Sequence, residues 1–207
     1  MGCSAADVAR AVRAVAAVVA EHRVELIQLD RAIGDGDHGE NLDRGFRAVV
    51  SKLDESTPDT PAGVLKLVAT TLIAKVGGAA GPLYGTAFLR ASTALGDVGE
   101  LGAAEVTEAL RAALGGIVAR GKAELGDKTM VDALDPAVRA AEKEQGSVAA
   151  LLSAAADAAA TGADSTVPLV ARKGRASYLG ERSAGHLDPG SRSTTLILRS
   201  FANSAAS

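Results

Sequence analysis

The sequence has one cysteine, Cys3, no tryptophan, and aromatic residues at only 2% of its 207 positions. A single cysteine excludes an internal disulfide and a cysteine-based zinc site. Because hydrophobic residues still make up 47% of the chain, the scarcity of aromatics leaves a core of Ala, Val and Leu. Such small side chains suit closely packed helices. Positive charge is not in excess: the formal net charge is −3, so no basic field offers itself to nucleic acid. No apolar run is long enough to span a bilayer and no charged-then-apolar leader opens the chain, so no membrane association is expected. Met1-Gly2-Cys3-Ser4 begins like a myristoylation signal, but Ala6 stands where that signal needs Ser or Thr. The expectation is one cytoplasmic domain, residues 1–207, large enough for a sizeable core.

What the chain does have is a concentration of acid and glycine at Leu29-Asp30-Arg31-Ala32-Ile33-Gly34-Asp35-Gly36-Asp37-His38-Gly39-Glu40-Asn41. Asp30, Asp35 and Asp37 repel one another unless a hard divalent cation sits among them, and all-oxygen ligands favour Mg²⁺, Mn²⁺ or Ca²⁺ over zinc. The glycines let the backbone bring the carboxylates to one point. His38 and Asn41 offer donors to an anion beside the cation. A plain polar turn would need neither of them, nor Asp30. Gly34-x-Gly36-x-x-Gly39 has the spacing of a dinucleotide fingerprint, but it follows a helical pattern and is acidic where a pyrophosphate would lie. A calcium loop fails too, because counting from Asp35 puts Gly39 and Phe46 where ligands are required.

Periodicity predicts helices almost throughout. Ser4 caps a first helix running to about 29, with Val8, Val12, Val15, Val19, His22, Leu26 and Leu29 on one stripe. Further helices are expected over 41–53, 62–76, from Pro82 to about 95, 103–120, 130–144, from 147 to an end between 161 and 170, and through 194–201. Pro58 and Pro61 break one junction and Pro168 another. Gly77-Gly78-Ala79-Ala80-Gly81-Pro82 reads equally as a tight turn or as a helix start with bare N–H groups, a seat for phosphate. Gly116 to Lys122 nearly spells a P-loop but lacks its final hydroxyl and a preceding strand, so a helix end at Gly121 explains it better. Asp127 is the expected cap of the helix that begins at Met130. Residues 171–190, dense in Arg, Lys, Gly and Ser, read as a long loop whose basic residues can meet phosphate.

About eight helices, no convincing strand and short connections imply an antiparallel up-and-down bundle. The polar glycine-rich stretches fall at every second junction. Alternate junctions of such a bundle lie at the same end, so carboxylates, phosphate donors and basic residues should gather at one rim.

Four motifs, taken together, resemble a known family. They are Gly34-Asp35-Gly36-Asp37-His38-Gly39-x-Asn41, Gly77-Gly78-Ala79-x-Gly81-Pro82-Leu83-Tyr84-Gly85, Gly126-Asp127-Lys128-Thr129-Met130, and Arg172-Lys173-Gly174-Arg175-Ala176-Ser177-Tyr178-Leu179-Gly180-Glu181-Arg182-Ser183 with Asp188-Pro189-Gly190. In this order, and covering essentially the whole chain, they are similar to the L subunit of dihydroxyacetone kinase. The resemblance implies an all-α, eight-helix antiparallel barrel with ADP or ATP at one rim. It implies two Mg²⁺ ions on Asp30, Asp35 and Asp37, and nucleotide against His38, Gly39, Glu40, Asn41, Ala79, Ala80, Gly121, Thr129, Met130, Arg175, Asp188, Pro189 and Gly190. Arg175 and the three aspartates would support phosphoryl transfer, with no covalent group on the enzyme. Ala80 stands where the family often has Ser, which leaves backbone N–H groups alone to meet phosphate there, and Leu42 replaces a frequent Met.

By the same resemblance the ketose is held on a separate K-type subunit, and an M-type phosphohistidine protein of the phosphotransferase system recharges bound ADP to ATP. A free-standing chain of this length is more similar to that form than to the fused ATP-dependent kinases. Two alternatives stay open. One is an ATP-dependent kinase subunit for another short ketose or tetrose; the other is an ADP-bound co-regulator partnered with a transcription regulator.

Overall fold

A computed structural model describes residues 2–207. Among them are nine α-helices: α1 (Ala5–Glu21), α2 (Arg23–Ile33), α3 (His38–Glu55), α4 (Pro61–Lys75), α5 (Ala80–Leu95), α6 (Ala103–Gly121), α7 (Met130–Lys143), α8 (Val148–Ser165) and α9 (Pro189–Ala206), with a 3₁₀ segment at Arg175–Ser183. The one β pairing among the described residues is an isolated bridge between Cys3 and Leu101. No helix among the described residues is long and apolar enough to cross a membrane.

The nine helices make an eight-membered ring. Each of α3 to α8 packs on the next helix in the chain, and α1 packs on both α3 and α9, closing the barrel. The extra helix arises because the expected single first helix bends at His22 (φ −90°, ψ 8°) and continues as α2 to Ile33. No Gly or Pro marks the bend. Its cause is tertiary: His22 Nδ1 lies 2.6 Å from Glu25 Oε2, and Arg192 Nε of α9 donates to Glu25 Oε1 at 2.6 Å. His22 therefore belongs to a polar cluster at the bend and not to the apolar stripe.

The other helix boundaries follow local signals. Ser4, Thr60, Ser147 and Asp188 each accept a backbone N–H as N-caps, which is the strongest local start signal. Pro61 occupies the first turn of α4, but Pro82 is the third residue of α5, not its first. Thr129, not Asp127, caps α7: Thr129 Oγ1 accepts from Val131 N while Asp132 Oδ2 accepts from Thr129 N at 2.7 Å. The Asp127 carboxylate instead accepts Glu124 N. At the end of α6, Lys122 takes the left-handed conformation (φ 53°), so Gly121 is the last helical residue. Residues 171–190 are not structureless, since the 3₁₀ segment occupies their middle and bends at Gly180.

The core is small-chained, as composition requires. Val12, Val15 and Val19 of α1, Leu26 of α2, Leu42, Phe46 and Val49 of α3, and Ala155, Ala156 and Ala159 of α8 are all fully buried or nearly so. Close approach is built in where α8 meets α7: a Cβ on Gly162 would stand 2.1 Å from Asp132 O. That carbonyl loses its helical donor to Pro136, so the contact covers a group the proline leaves unpaired. Inside the ring an apolar cavity of about 180 Å³ remains, bordered by Val8, Tyr84, Phe88, Ile117, Leu152 and Phe201.

Candidate nucleotide and metal site

The junctions α2–α3, α4–α5, α6–α7 and α8–α9 meet around one cavity of about 910 Å³. The four polar stretches picked out in the sequence therefore share a rim, as alternate junctions of an up-and-down ring must.

The acidic loop is folded on itself by Asp30. This residue lies in the last turn of α2, and its Oδ2 accepts the backbone N–H of Asp37 at 2.8 Å and of His38 at 3.1 Å. One carboxylate thus serves the uncapped start of α3 and fixes where Asp37 stands. Two glycines permit the fold: a Cβ on Gly34 would lie 2.1 Å from Asp30 Oδ1, and Gly36 is left-handed at φ 76°. Carboxylate oxygens of Asp30, Asp35 and Asp37 come within 4.8 Å of one another, with Asp30 the most sheltered. An all-oxygen trio this tight, partly open to solvent, fits a hard divalent cation that keeps some of its water.

Opposite this loop, α5 begins without a side-chain cap, and Ala79 and Ala80 at its start line the cavity. Free N–H groups at a helix start favour an anion. The 3₁₀ segment overhangs the mouth with Arg175 and Tyr178, the latter 88% exposed. Arg175 Nε lies 2.9 Å from Asp35 Oδ2, so this strap and the acidic loop are in direct contact.

Beneath the cavity is a buried polar floor. His38 Nε2 lies 2.8 Å from Ser193 Oγ, which lies 2.7 Å from the Tyr84 hydroxyl; Tyr84 also meets Thr194 Oγ1 at 2.9 Å. Burial holds the His38 imidazole below its ordinary range, against the pull of Asp30 and Asp37, and pushes the Tyr84 hydroxyl up to about 12. Both are neutral at pH 7 and act as hydrogen-bonding structure. Burial also pushes the Asp188 carboxyl up to about 7, although Ser191 N donates to it at 2.7 Å.

Of the residues expected at the site, Asp30, Asp35, Asp37, His38, Ala79, Ala80, Gly121, Thr129, Met130, Arg175, Asp188, Pro189 and Gly190 all line this cavity. Gly39, Glu40 and Asn41 do not. Gly39 is where α3 touches α2, with room for no side chain: a Cβ would stand 2.2 Å from Arg23 O. Glu40 is exposed and pairs with Arg23. Asn41 is buried behind Gly77, bonded to Arg44. Arg120, Lys128 and Tyr178 are among the cavity residues that the sequence did not single out for the site. Lys128 sat in plain view within a quoted motif, but nothing in sequence said that its ammonium would be enclosed.

The DAK2 domain pattern matches residues 32–203. The chain is 45% identical over 183 residues to the "PEP-dependent dihydroxyacetone kinase, ADP-binding subunit DhaL" of Escherichia coli, covering 87% of each. It is 40% identical over 184 residues to the "PTS-dependent dihydroxyacetone kinase, ADP-binding subunit DhaL" of Lactococcus lactis, covering 88% of each. The solved dihydroxyacetone kinase from C. freundii in complex with AMP-PNP and Mg²⁺ superposes with a TM-score of 0.75 at 29% identity, over 99% of this chain and 35% of that one.

Proposed function

Since the chain belongs to the DAK2-domain family, we propose that it is the nucleotide-binding subunit of a dihydroxyacetone kinase that draws phosphate from a phosphohistidine protein. Phosphate passes from that M-type donor through bound ADP/ATP to dihydroxyacetone carried on a K-type subunit. The observation that carries the reading is the convergence on one cavity of three carboxylates, an uncapped helix start and an arginine. Phosphoryl transfer needs just this combination of charge neutralisation and positioning, and little covalent chemistry from the protein.

In this reading Asp30, Asp35 and Asp37 hold two Mg²⁺ ions, whose role when bound is to neutralise phosphate charge. The N–H groups at the start of α5 donate to phosphate oxygens in place of the hydroxyl that Ala80 lacks. Arg175 adds positive charge at the mouth, where an incoming ketose must approach. Gly121, Thr129, Met130 and the 188–190 turn form the wall against which the nucleoside lies. His38 acts from the floor, fixing the start of α3. Gly39, Glu40 and Asn41 support the site from behind: Gly39 sets the approach of α3 to α2, and Asn41 backs the Gly77 turn.

The test mixes this chain with a K-type subunit and dihydroxyacetone. With a phosphohistidine donor, sustained formation of dihydroxyacetone phosphate is expected, and with excess free ATP about one turnover per bound nucleotide. Rapid multiple turnover on free ATP would overturn the coenzyme role and make the chain part of an ATP-dependent kinase.

A further inference from the structure

Lys128 is 1% exposed, yet it belongs to the wall of the rim cavity. Its backbone is left-handed at φ 63°, a conformation disfavoured for any residue with a Cβ. Such a conformation persists only when the surroundings over-determine it. The determinants are visible. Lys128 Nζ donates to Thr166 O at 2.7 Å, to Val167 O at 3.4 Å and to His186 O. An ammonium has three donors and no acceptor, so none is left over for a phosphate.

The three carbonyls sit at the two ends of one strap. Thr166 and Val167 leave α8, His186 leads into α9, and the 3₁₀ segment with Arg175 lies between. The ends are also joined directly: Gly185 N donates to Val167 O at 2.7 Å and Asp188 N to Thr166 Oγ1 at 3.0 Å. Arg172 N donates to Asp127 O, next to Lys128 in the chain. Lys128 therefore plugs the neck of a loop whose far end bears the arginine paired with Asp35.

We infer that Lys128 is a positioning residue: its enclosed ammonium locks the neck of the 166–188 strap and so sets where Arg175 stands over the acidic loop. Burial pushes the Lys128 ammonium down, while Asp188 and Asp132 oppose that shift and the three carbonyls accept its protons. The fastening is a property of the protein alone. Its consequence for ligand rests on the reading of the rim as a Mg²⁺–nucleotide site.

Lys128→Met keeps the stem and removes the donors. By mass-detected hydrogen exchange without nucleotide, the variant is expected to exchange at least about tenfold faster over 166–188, with α1, α4 and α5 unchanged. Equal exchange, or acceleration spread evenly over the chain, would overturn the inference. In ADP titrations at saturating Mg²⁺, Lys128→Met and Arg175→Met are each expected to raise Kd about tenfold, and the double variant no more than the weaker-binding single one. A multiplicative loss, about a hundredfold, would overturn it as well. Should the wild type fail to bind ADP while the exchange result holds, the nucleotide reading falls and the fastening stands. If Lys128→Met does not fold, the wild type still decides. An amine-reactive ester should modify exposed Lys52, Lys66 and Lys143 and spare Lys128. Ready modification of Lys128 in the folded protein would contradict the inference.

Discussion

Arg175 and Asp35 face each other across the mouth of the cavity, Nε to Oδ2 at 2.9 Å, and join the overhanging strap to the acidic loop. The pair is solvent-exposed, so its own contribution to stability is small. On the proposed reading its meaning is competitive, because the same carboxylate would hold a cation and the same guanidinium a phosphate. Arg175→Met is therefore expected to leave affinity for Mg²⁺ alone unchanged or up to about fivefold tighter. It should weaken Mg²⁺–ADP about tenfold. Calorimetric titrations with metal and with nucleotide separate the two effects, and parallel losses in both would refute the competition.

Asp188 gives a pH signature. Its carboxyl is pushed up to about 7 by burial, above the range it has in an unfolded chain. Over that interval the folded state holds a proton that the unfolded state has lost, so stability falls as pH rises. The contribution is fully present below the unfolded value and is gone once pH has passed through about 7. Asn caps a helix as well as Asp does. Asp188→Asn is expected to keep α9 and flatten the decline in urea stability between acid and neutral pH. A wild-type decline that survives in the variant would assign it to another group.

Gly39 belongs to packing. A Cβ there would meet Arg23 O at 2.2 Å, a backbone atom that cannot turn aside. Gly39→Ala is expected to lower stability by about 1–3 kcal/mol, as overpacking does. By pushing α2 off α3 it should also displace Asp30 and weaken Mg²⁺-dependent ADP binding. Denaturant melts and titration of the same preparation check both. Normal stability with lost binding would mean that Gly39 touches nucleotide directly.

Much of this was legible in sequence because it follows from local rules. Caps, prolines and a stripe such as Val8–Val12–Val15–Val19 predict helices, and counting junctions by parity puts four polar stretches at one end. What was illegible depended on partners far away in the chain. The bend at His22 is stabilised by Arg192, 167 positions beyond Glu25. The 3₁₀ strap is held by Ser183, whose Oγ accepts from Ala171 N at 2.8 Å while its own proton goes to Gly180 O. Lys128 looked like any loop lysine until Thr166 and His186 closed over it. The removal of Glu40 and Asn41 from the cavity has a simpler origin: once α3 starts at His38, its 3.6-residue turn points successive side chains away from the rim.

Linkage extends the account to stability. A ligand that binds only the folded chain, present at about 100 times its dissociation constant, adds about 2.7 kcal/mol. ADP with Mg²⁺ is expected to raise the melting temperature markedly, and either alone much less. An equal rise with ADP alone would detach nucleotide binding from the three aspartates.

The most direct measurement is isothermal titration of ADP into the protein at saturating Mg²⁺, repeated with Asp35→Asn and Asp37→Asn variants whose helical circular dichroism matches wild type. One-to-one binding is expected for the wild-type chain, abolished in both variants because the charge at the metal matters while the fold does not depend on it. Wild-type protein that takes up no ADP, or variants that bind it as well as wild type, would contradict the assignment of this rim as a Mg²⁺–nucleotide site.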